Sequence, residues 1–260
     1  MIDLTGKVVL ITGAARGIGR GCAVELARCG ADIVINDCAH ADEAAAVAAE
    51  VEQLGRRALV VMADVADRAA VDRMVATAVA ELGRLDIVVA NAARTRRRPF
   101  LELRREDLEE TWAVTLWGVF HTCQAGARQL VQQGQGGKII LISSLLAWIP
   151  FANSLPYNAA KAAIEQMGRT IATELLPHRI NVNLIEPGWI DTPGERAFLT
   201  EEQLREEAAK LPWGRLGRPD EIGKAVAFLA SSAADYITGA CLRVDGGYWL
   251  PRQPVPLHRE

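Results

Sequence analysis

The sequence predicts a single-domain doubly wound α/β fold, with a seven-stranded parallel sheet flanked by helices on both faces. Three observations predict it. Short runs of Val, Ile and Leu recur along 260 residues between longer amphipathic stretches. Most of these runs lack polar–apolar alternation, as strands buried on both faces do. Half of the residues are apolar, enough to fill a large core, and the stretches between runs are long enough for crossover helices.

In chain order the strands are KVVLIT (7–12), ADIVIN (31–36), ALVVMA (58–63), LDIVVA (85–90), KIILIS (138–143), INVNLIE (180–186) and CLRVD (241–245). Residues 41–54 and 68–82 carry apolar residues at helical spacing, with Gly55 and Gly83 placed as C-terminal stops. The stretch 194–211 has a Thr200 cap, acidic residues and helical spacing. No internal repeat or linker-like shift interrupts residues 1–260. The biased pieces are RTRRRP at 94–99 and the proline-containing tail 251–260.

Charge is nearly balanced, 29 basic against 32 acidic residues. No global field suggests nucleic acid or an acidic membrane as partner, so a small molecule is expected. The start Met1-Ile2-Asp3-Leu4 lacks signal-peptide form, and no segment reaches the roughly 20 apolar residues of a membrane span. A cytoplasmic protein is expected. Five scattered cysteines (22, 29, 38, 123, 241) read as reduced packing residues, and the four histidines do not cluster, so no metal site is expected.

KVVLIT runs directly into Gly13-Ala-Ala-Arg16-Gly17-Ile18-Gly19, and a helical stretch follows. Glycines let backbone approach a pyrophosphate, and the helix presents free N–H groups and a positive dipole end to that anion. The bland alternative is a structural turn. Asp37 stands 18 residues beyond Gly19 at the end of the second strand, near the spacing at which a carboxylate binds ribose hydroxyls. A carboxylate there repels a 2′-phosphate and favours NAD over NADP, whereas Arg16 could pair with that phosphate. As purely structural residues, Asp37 would cap a loop and Arg16 would be solvated.

Ser144 follows the fifth strand, and 13 residues later Tyr157 begins Tyr-Asn-Ala-Ala-Lys161 at the start of a helix. Positions i and i+4 share a helix face, so the Lys161 ammonium can sit near the Tyr157 phenol. A cation there stabilises phenolate, and a phenol with an ordinary pKa of about 10 becomes a usable general base. Such a base suits a nicotinamide-dependent oxidoreductase of alcohols and ketones.

The spacing Thr-Gly-x-x-x-Gly-x-Gly from Thr12 resembles the short-chain dehydrogenase/reductase family. Asp64-Val65, Asn91, Pro187-Gly188 and Asp245-Gly246-Gly247 extend the likeness over residues 4–250. The resemblance implies a Rossmann fold in which Asp64 contacts adenine. It also places Val65, Asn91, Pro187, Gly188, Ile190 and Thr192 at the cofactor, with Tyr157 and Lys161. It implies that Tyr157 takes the hydroxyl proton in oxidation, that Ser144 donates a hydrogen bond to the substrate oxygen, that 194–211 is a substrate lid, and that the chain forms a homotetramer.

Two departures qualify the likeness. Ala90-Asn91-Ala92-Ala93 replaces the family's Asn-Asn-Ala-Gly, and Thr115 stands where the fourth catalytic residue is normally asparagine, at a helix kink in the proton relay. Substrate residues are expected in 92–100, 145–156 and 188–212. Arg94, Arg96, Arg97 and Arg98 either attract an anion or pair with Glu102, Glu106 or Asp107. The region 185–250 looks like bacterial glucose dehydrogenases, which points to a sugar or polyol. A 3-oxoacyl-carrier-protein reductase is the second enzyme reading, and a non-catalytic dinucleotide sensor or scaffold is the reading of another class.

Overall fold

A computed structural model describes residues 2–196 and 200–250. Its seven strands are β1 Val8–Thr12, β2 Asp32–Asp37, β3 Ala58–Met62, β4 Ile87–Ala90, β5 Gly137–Ile142, β6 Ile180–Pro187 and β7 Cys241–Val244. They form one sheet in the order β3-β2-β1-β4-β5-β6-β7, with every neighbouring pair parallel. Each strand falls within a residue or two of its apolar run. The central strands are buried along their length, while the edge strands β3 and β7 are partly exposed.

The α-helices are α1 (Gly17–Arg28), α2 (Ala41–Gln53), α3 (Arg68–Leu82), α4 (Arg105–Trp112), α5 (Val119–Gln133), α6 (Leu155–Leu175), α7 (Pro193–Arg196), α8 (Glu201–Ala209) and α9 (Pro219–Ala230), with short 3₁₀ and π turns between them. α3 starts where Asp67 accepts a bond from the Ala69 amide and stops at Gly83, whose φ of 86° is left-handed. Gly55, with φ of 74°, follows α2 in the same role. Thr200 and Gln203 form a reciprocal capping box at α8.

Strand side chains alternate between two cores. Val9 and Ile11 join Cys22, Leu26, Val47 and Val226 on the face covered by α1, α2 and α9. Val8 and Leu10 join Met74, Val75, Leu130 and Ile164 on the face covered by α3, α5 and α6. Each fully buried aliphatic side chain of this kind contributes about 1.5–3 kcal/mol. Consecutive crossovers proceed outward from β1 on one side and from β4 on the other. The connections that leave these two adjacent, paired strands therefore run to opposite faces of the sheet, and a crevice opens between them.

Between α4 and α5 the chain makes a π-helical turn over Ala113–Gly118, which contains Thr115. Such a turn lets one extra residue into the helix and is frequent at functional positions.

Candidate active site

A cavity of about 1040 Å³ occupies the crevice. Gly13, Arg16, Gly17, Ile18, Asp37, Asp64, Val65 and Asn91 line it towards β1–β3. Ser144, Tyr157, Lys161, Pro187, Gly188, Ile190 and Thr192 line it towards β5 and β6. Of the catalytic and cofactor residues expected from sequence, Gly19 and Thr115 are not in this wall.

Gly19 shapes the loop from behind. A Cβ there would lie 2.1 Å from the Gly13 carbonyl oxygen, so the loop closes this tightly only on glycine. Asn91 holds the same turn, its Nδ2 donating to the carbonyls of Thr12 at 2.8 Å and Gly13 at 3.1 Å. The Thr12 hydroxyl oxygen accepts from the amides of Asn91 and Ala92 at 3.0 and 3.1 Å. The altered Ala90–Ala93 stretch is thus tied to the glycine loop. Arg16 precedes α1 in an extended conformation and its side chain makes no cap, which leaves the first-turn N–H groups to an anion.

Asp37 is both a turn cap and a cavity-wall residue. Its Oδ1 accepts from the amides of Cys38, Ala39 and His40 and contacts the His40 ring at 2.9 Å. Burial opposes its ionisation, but the amides of Ala39 and His40 and the His40 ring outweigh burial and lower its pKa. Asp37 is therefore anionic at neutral pH. Uncapped helix, close-turning glycine loop and strand-end carboxylate together fit a dinucleotide.

At the other end, α6 places Tyr157 and Lys161 one turn apart on the face towards the cavity. The Lys161 ammonium is 1% exposed, donates to the Ile142 carbonyl at 2.7 Å and lies 5.4 Å from the Tyr157 ring centroid. Desolvation pushes the lysine down to about 7 and the phenol up to about 12, with the Ser144 hydroxyl offsetting part of the latter. Ser144 also caps the short turn Leu145–Ala147, its Oγ accepting from the Leu146 amide at 3.1 Å.

Thr115 is wholly buried. Its hydroxyl donates to the Arg94 carbonyl at 2.6 Å and accepts from the Arg94 amide at 2.8 Å. The side chain at the relay position therefore pins the loop after β4.

That loop's arginines find partners that only partly match the sequence expectation. Arg98 pairs with Asp107 at 3.0 Å, as expected, but Arg94 and Arg96 pair with Glu110, and Arg97 reaches Glu195 at 3.6 Å. Glu110 lies one turn beyond Asp107 on the α4 face turned to the loop, whereas Glu102 lies in the short 3₁₀ turn Phe100–Glu102 that precedes α4.

The expected lid resolves into α7 and α8; residues 197–199 and the tail 251–260 lie outside the described residues. Glu195, Gln203, Glu206 and Glu207 line the cavity opposite Arg97.

A buried acid pair behind the site has no signal in the sequence. Glu165 and Glu186 are each 2% exposed. The Trp148 indole N–H lies 3.0 Å from Glu165 Oε2 and 2.8 Å from Glu186 Oε1. Ser143 donates to Glu165 at 3.1 Å, and Arg169 and Arg243 pair with Glu165 and Glu186 respectively. Burial and the neighbouring carboxylate raise the pKa of Glu165. Burial acts in the same sense on Glu186, but the bonds from Glu165, Arg243, Cys241 and Trp148 prevail and lower it. Of the two carboxyls, Glu165 therefore takes up a proton first as pH falls.

Comparison with known proteins agrees with this geometry. A family described as enoyl-(acyl carrier protein) reductase matches residues 13–249. An L-rhamnose 1-dehydrogenase (NAD(P)(+)) of Sphingomonas sp. strain SKA58 is 40% identical over 252 residues, 96% of this chain and 99% of that protein. A 2-dehydro-3-deoxy-D-gluconate 5-dehydrogenase of Dickeya dadantii strain 3937 is 38% identical over 251 residues, 96% of this chain and 98% of that one. The crystal structure of a short-chain type dehydrogenase/reductase from Mycobacterium marinum superposes with a TM-score of 0.90 at 36% identity, covering 96% of this chain and 98% of that one.

Proposed function

The chain belongs to the short-chain dehydrogenase/reductase family and is a nicotinamide-dependent alcohol oxidoreductase; we propose that it interconverts a neutral sugar or polyol and its oxidised form, with NAD preferred over NADP. The observation that carries this reading is the convergence of Ser144, Tyr157 and Lys161 on one end of a cavity whose other end is the glycine loop.

When bound, the nicotinamide ring supplies the hydride acceptor of oxidation and the donor of reduction. Tyr157 takes the hydroxyl proton of the alcohol at its phenolic oxygen. Lys161 is fixed by the Ile142 carbonyl and pushed down to about 7 by burial; in its protonated form it would counter the desolvation that holds the phenol near 12. Ser144 donates to the substrate oxygen, where charge develops. Thr115 serves the proton path through its main chain, because its hydroxyl is committed to Arg94.

Gly13, Arg16, Gly17, Ile18 and Gly19 hold the pyrophosphate end, supported by Asn91 and by Pro187, Gly188, Ile190 and Thr192. Asp64 and Val65 take the adenine side. Asp37 accepts the ribose hydroxyls and, as an anion, disfavours a 2′-phosphate. Of the relatives named above, the one that acts on a neutral sugar supports this class, whereas the one that acts on a sugar acid supports only a sugar-like carbon frame. The pairing of Arg94, Arg96 and Arg98 within their own wall weighs against an acidic carrier protein.

Residues 1–260 constitute one catalytic domain in this reading. The protein is a cytoplasmic homotetramer, with the exposed Trp117 and the adjacent Phe120 on α5 available to subunit packing. Sedimentation would test the assembly. Among the described residues no helix is long and apolar enough to cross a membrane.

The test is a panel of sugars, polyols, sugar acids, secondary alcohols and 3-oxoacyl thioesters, each assayed with NAD and NADP. Sugar oxidation with NAD is expected. Preference for thioesters with NADPH would favour a 3-oxoacyl-carrier-protein reductase, and tight cofactor binding without turnover would indicate a sensor.

A further inference from the structure

The four arginines after β4 are not equivalent. Arg94 and Arg96 converge on Glu110, and Arg98 holds Asp107. Arg97 instead lies beside the Phe151 ring, 5.6 Å from its centroid, and faces Glu195 across the mouth of the cavity at 3.6 Å. Glu195 Oε2 accepts from the Trp189 indole at 3.2 Å. Arg97, Phe151, Trp189 and Glu195 line the cavity that contains the Tyr157 phenol.

We propose that Arg97 and Glu195 are specificity-determining residues that read the hydroxyl groups flanking the reacting carbon and select a neutral polyhydroxylated substrate over an anionic one. The inference rests on the sugar or polyol reading above and narrows it.

Chemical complementarity supports it. A carboxylate accepts from two neighbouring hydroxyls, and a guanidinium donates in a fixed fork, so together they bracket a diol. Arg97 and Glu195 form an ion pair at 3.6 Å, and neighbouring hydroxyls of one substrate can contact both of its members. Both side chains are about one quarter to one third exposed, at 26% and 31%. A substrate that covers them strengthens its hydrogen bonds by excluding water. The indole of Trp189 and the ring of Phe151 offer apolar surface for the C–H faces of a sugar.

The same charges disfavour an anion. A carboxylate attracted to Arg97 would have to displace Glu195, and Glu206 and Glu207 of α8 line the same cavity. Like charges in a partly desolvated site oppose entry.

The experiment compares wild type, Glu195→Gln and Arg97→Met with saturating NAD on three alcohols. These are the best neutral aldose of the panel, the uronate of that same sugar, and cyclohexanol, which lacks flanking hydroxyls. Each kcat/KM is taken on the plateau of that variant's pH profile. Wild type is expected to favour aldose over uronate by about tenfold or more. In each variant the aldose-to-cyclohexanol ratio should fall by about tenfold, mainly through aldose KM, a loss equal to about 1.4 kcal/mol. Glu195→Gln should also narrow the gap between aldose and uronate.

An unchanged aldose-to-cyclohexanol ratio in both variants would overturn the inference while leaving sugar oxidation intact. A wild-type preference for uronate that disappears in Arg97→Met would overturn it in favour of anion recognition. Wild type that oxidises cyclohexanol but no sugar would instead defeat the substrate class itself. Cyclohexanol turnover reports that each variant is folded, so the ratios remain readable.

Discussion

Thr115 and Arg94 exchange two hydrogen bonds, the buried hydroxyl donating to the carbonyl at 2.6 Å and accepting from the amide at 2.8 Å. Three residues further along the same loop is Arg97, so a side chain in a π-helical turn fixes the approach of a guanidinium to the cavity. Thr115→Val keeps the shape and removes both bonds. It should cost about 1–3 kcal/mol in chemical denaturation, the loss typical of unpairing buried polar groups, and should raise substrate KM more than it lowers kcat. Thr115→Ser should retain most of both. Thr115→Asn, with a larger side chain in a closed space, should lose rate.

Arg97 and Glu195 act on the Tyr157 phenol in opposite senses, the carboxylate raising its pKa and the guanidinium lowering it. In oxidation the phenolate is the active form, so the acid limb of kcat/KM marks its ionisation. Glu195→Gln should move that limb to lower pH and Arg97→Met to higher pH. A limb unmoved in both variants would show that neither charge reaches the phenol.

Lys161 gives the apoprotein a distinct pH signature. Folding lowers its pKa from 10.5 to about 7. Between those values the unfolded chain binds the proton and the folded chain does not, so stability attributable to this group rises with pH across the window. Below about 7 both states are protonated and the burial penalty is fully present. The melting temperature of wild type relative to Lys161→Met should therefore climb from pH 7 towards pH 10. A flat difference would place the ammonium in a solvated setting.

Asp37→Asn separates the cap from the charge. The amide oxygen can still accept from residues 38–40, but the anion is gone. NAD kcat/KM should fall by about tenfold and NADP kcat/KM should rise, a change of about 1.4 kcal/mol in each direction. Equal losses with both cofactors would leave Asp37 as a turn cap only.

The opposed shifts of Glu165 and Glu186 predict an asymmetry. Glu165→Gln imitates the protonated partner and should be tolerated. Glu186→Gln removes the anion from between Arg243 and Trp148 and should be the more destabilising change, by about 3 kcal/mol in urea unfolding. Trp148 emission should shift in the second variant and stay near wild type in the first.

The strands are legible in sequence because a parallel sheet demands continuous apolar runs, and KVVLIT or KIILIS admits no other comfortable reading. Ser144, Tyr157 and Lys161 are legible because their chemistry depends on local spacing, i to i+4 on one helix and a short path back to a strand end. Partner choice is not local. Arg97 and Glu195 lie 98 residues apart, and nothing in RTRRRP marks that Arg94 and Arg97 line the cavity or that Arg94 and Arg96 share Glu110. Glu165 reads as an ordinary exposed helical residue until β6 brings Glu186 beneath it. Thr115 is visible as a departure, but its bonds to Arg94 depend on the π turn that aims it.

The seam between β1 and β4 divides the molecule's two choices between different parts of the chain. Arg16, Asp37 and Asp64, to which the proposed function assigns the nucleotide, come from the segment before residue 85, whereas Arg97, Trp189 and Glu195 come from the segment after it. The two groups come from separate stretches of chain, so inheritance can exchange one and keep the other. A lineage built on this frame can keep its fuel and change its coenzyme, or keep its coenzyme and change its fuel.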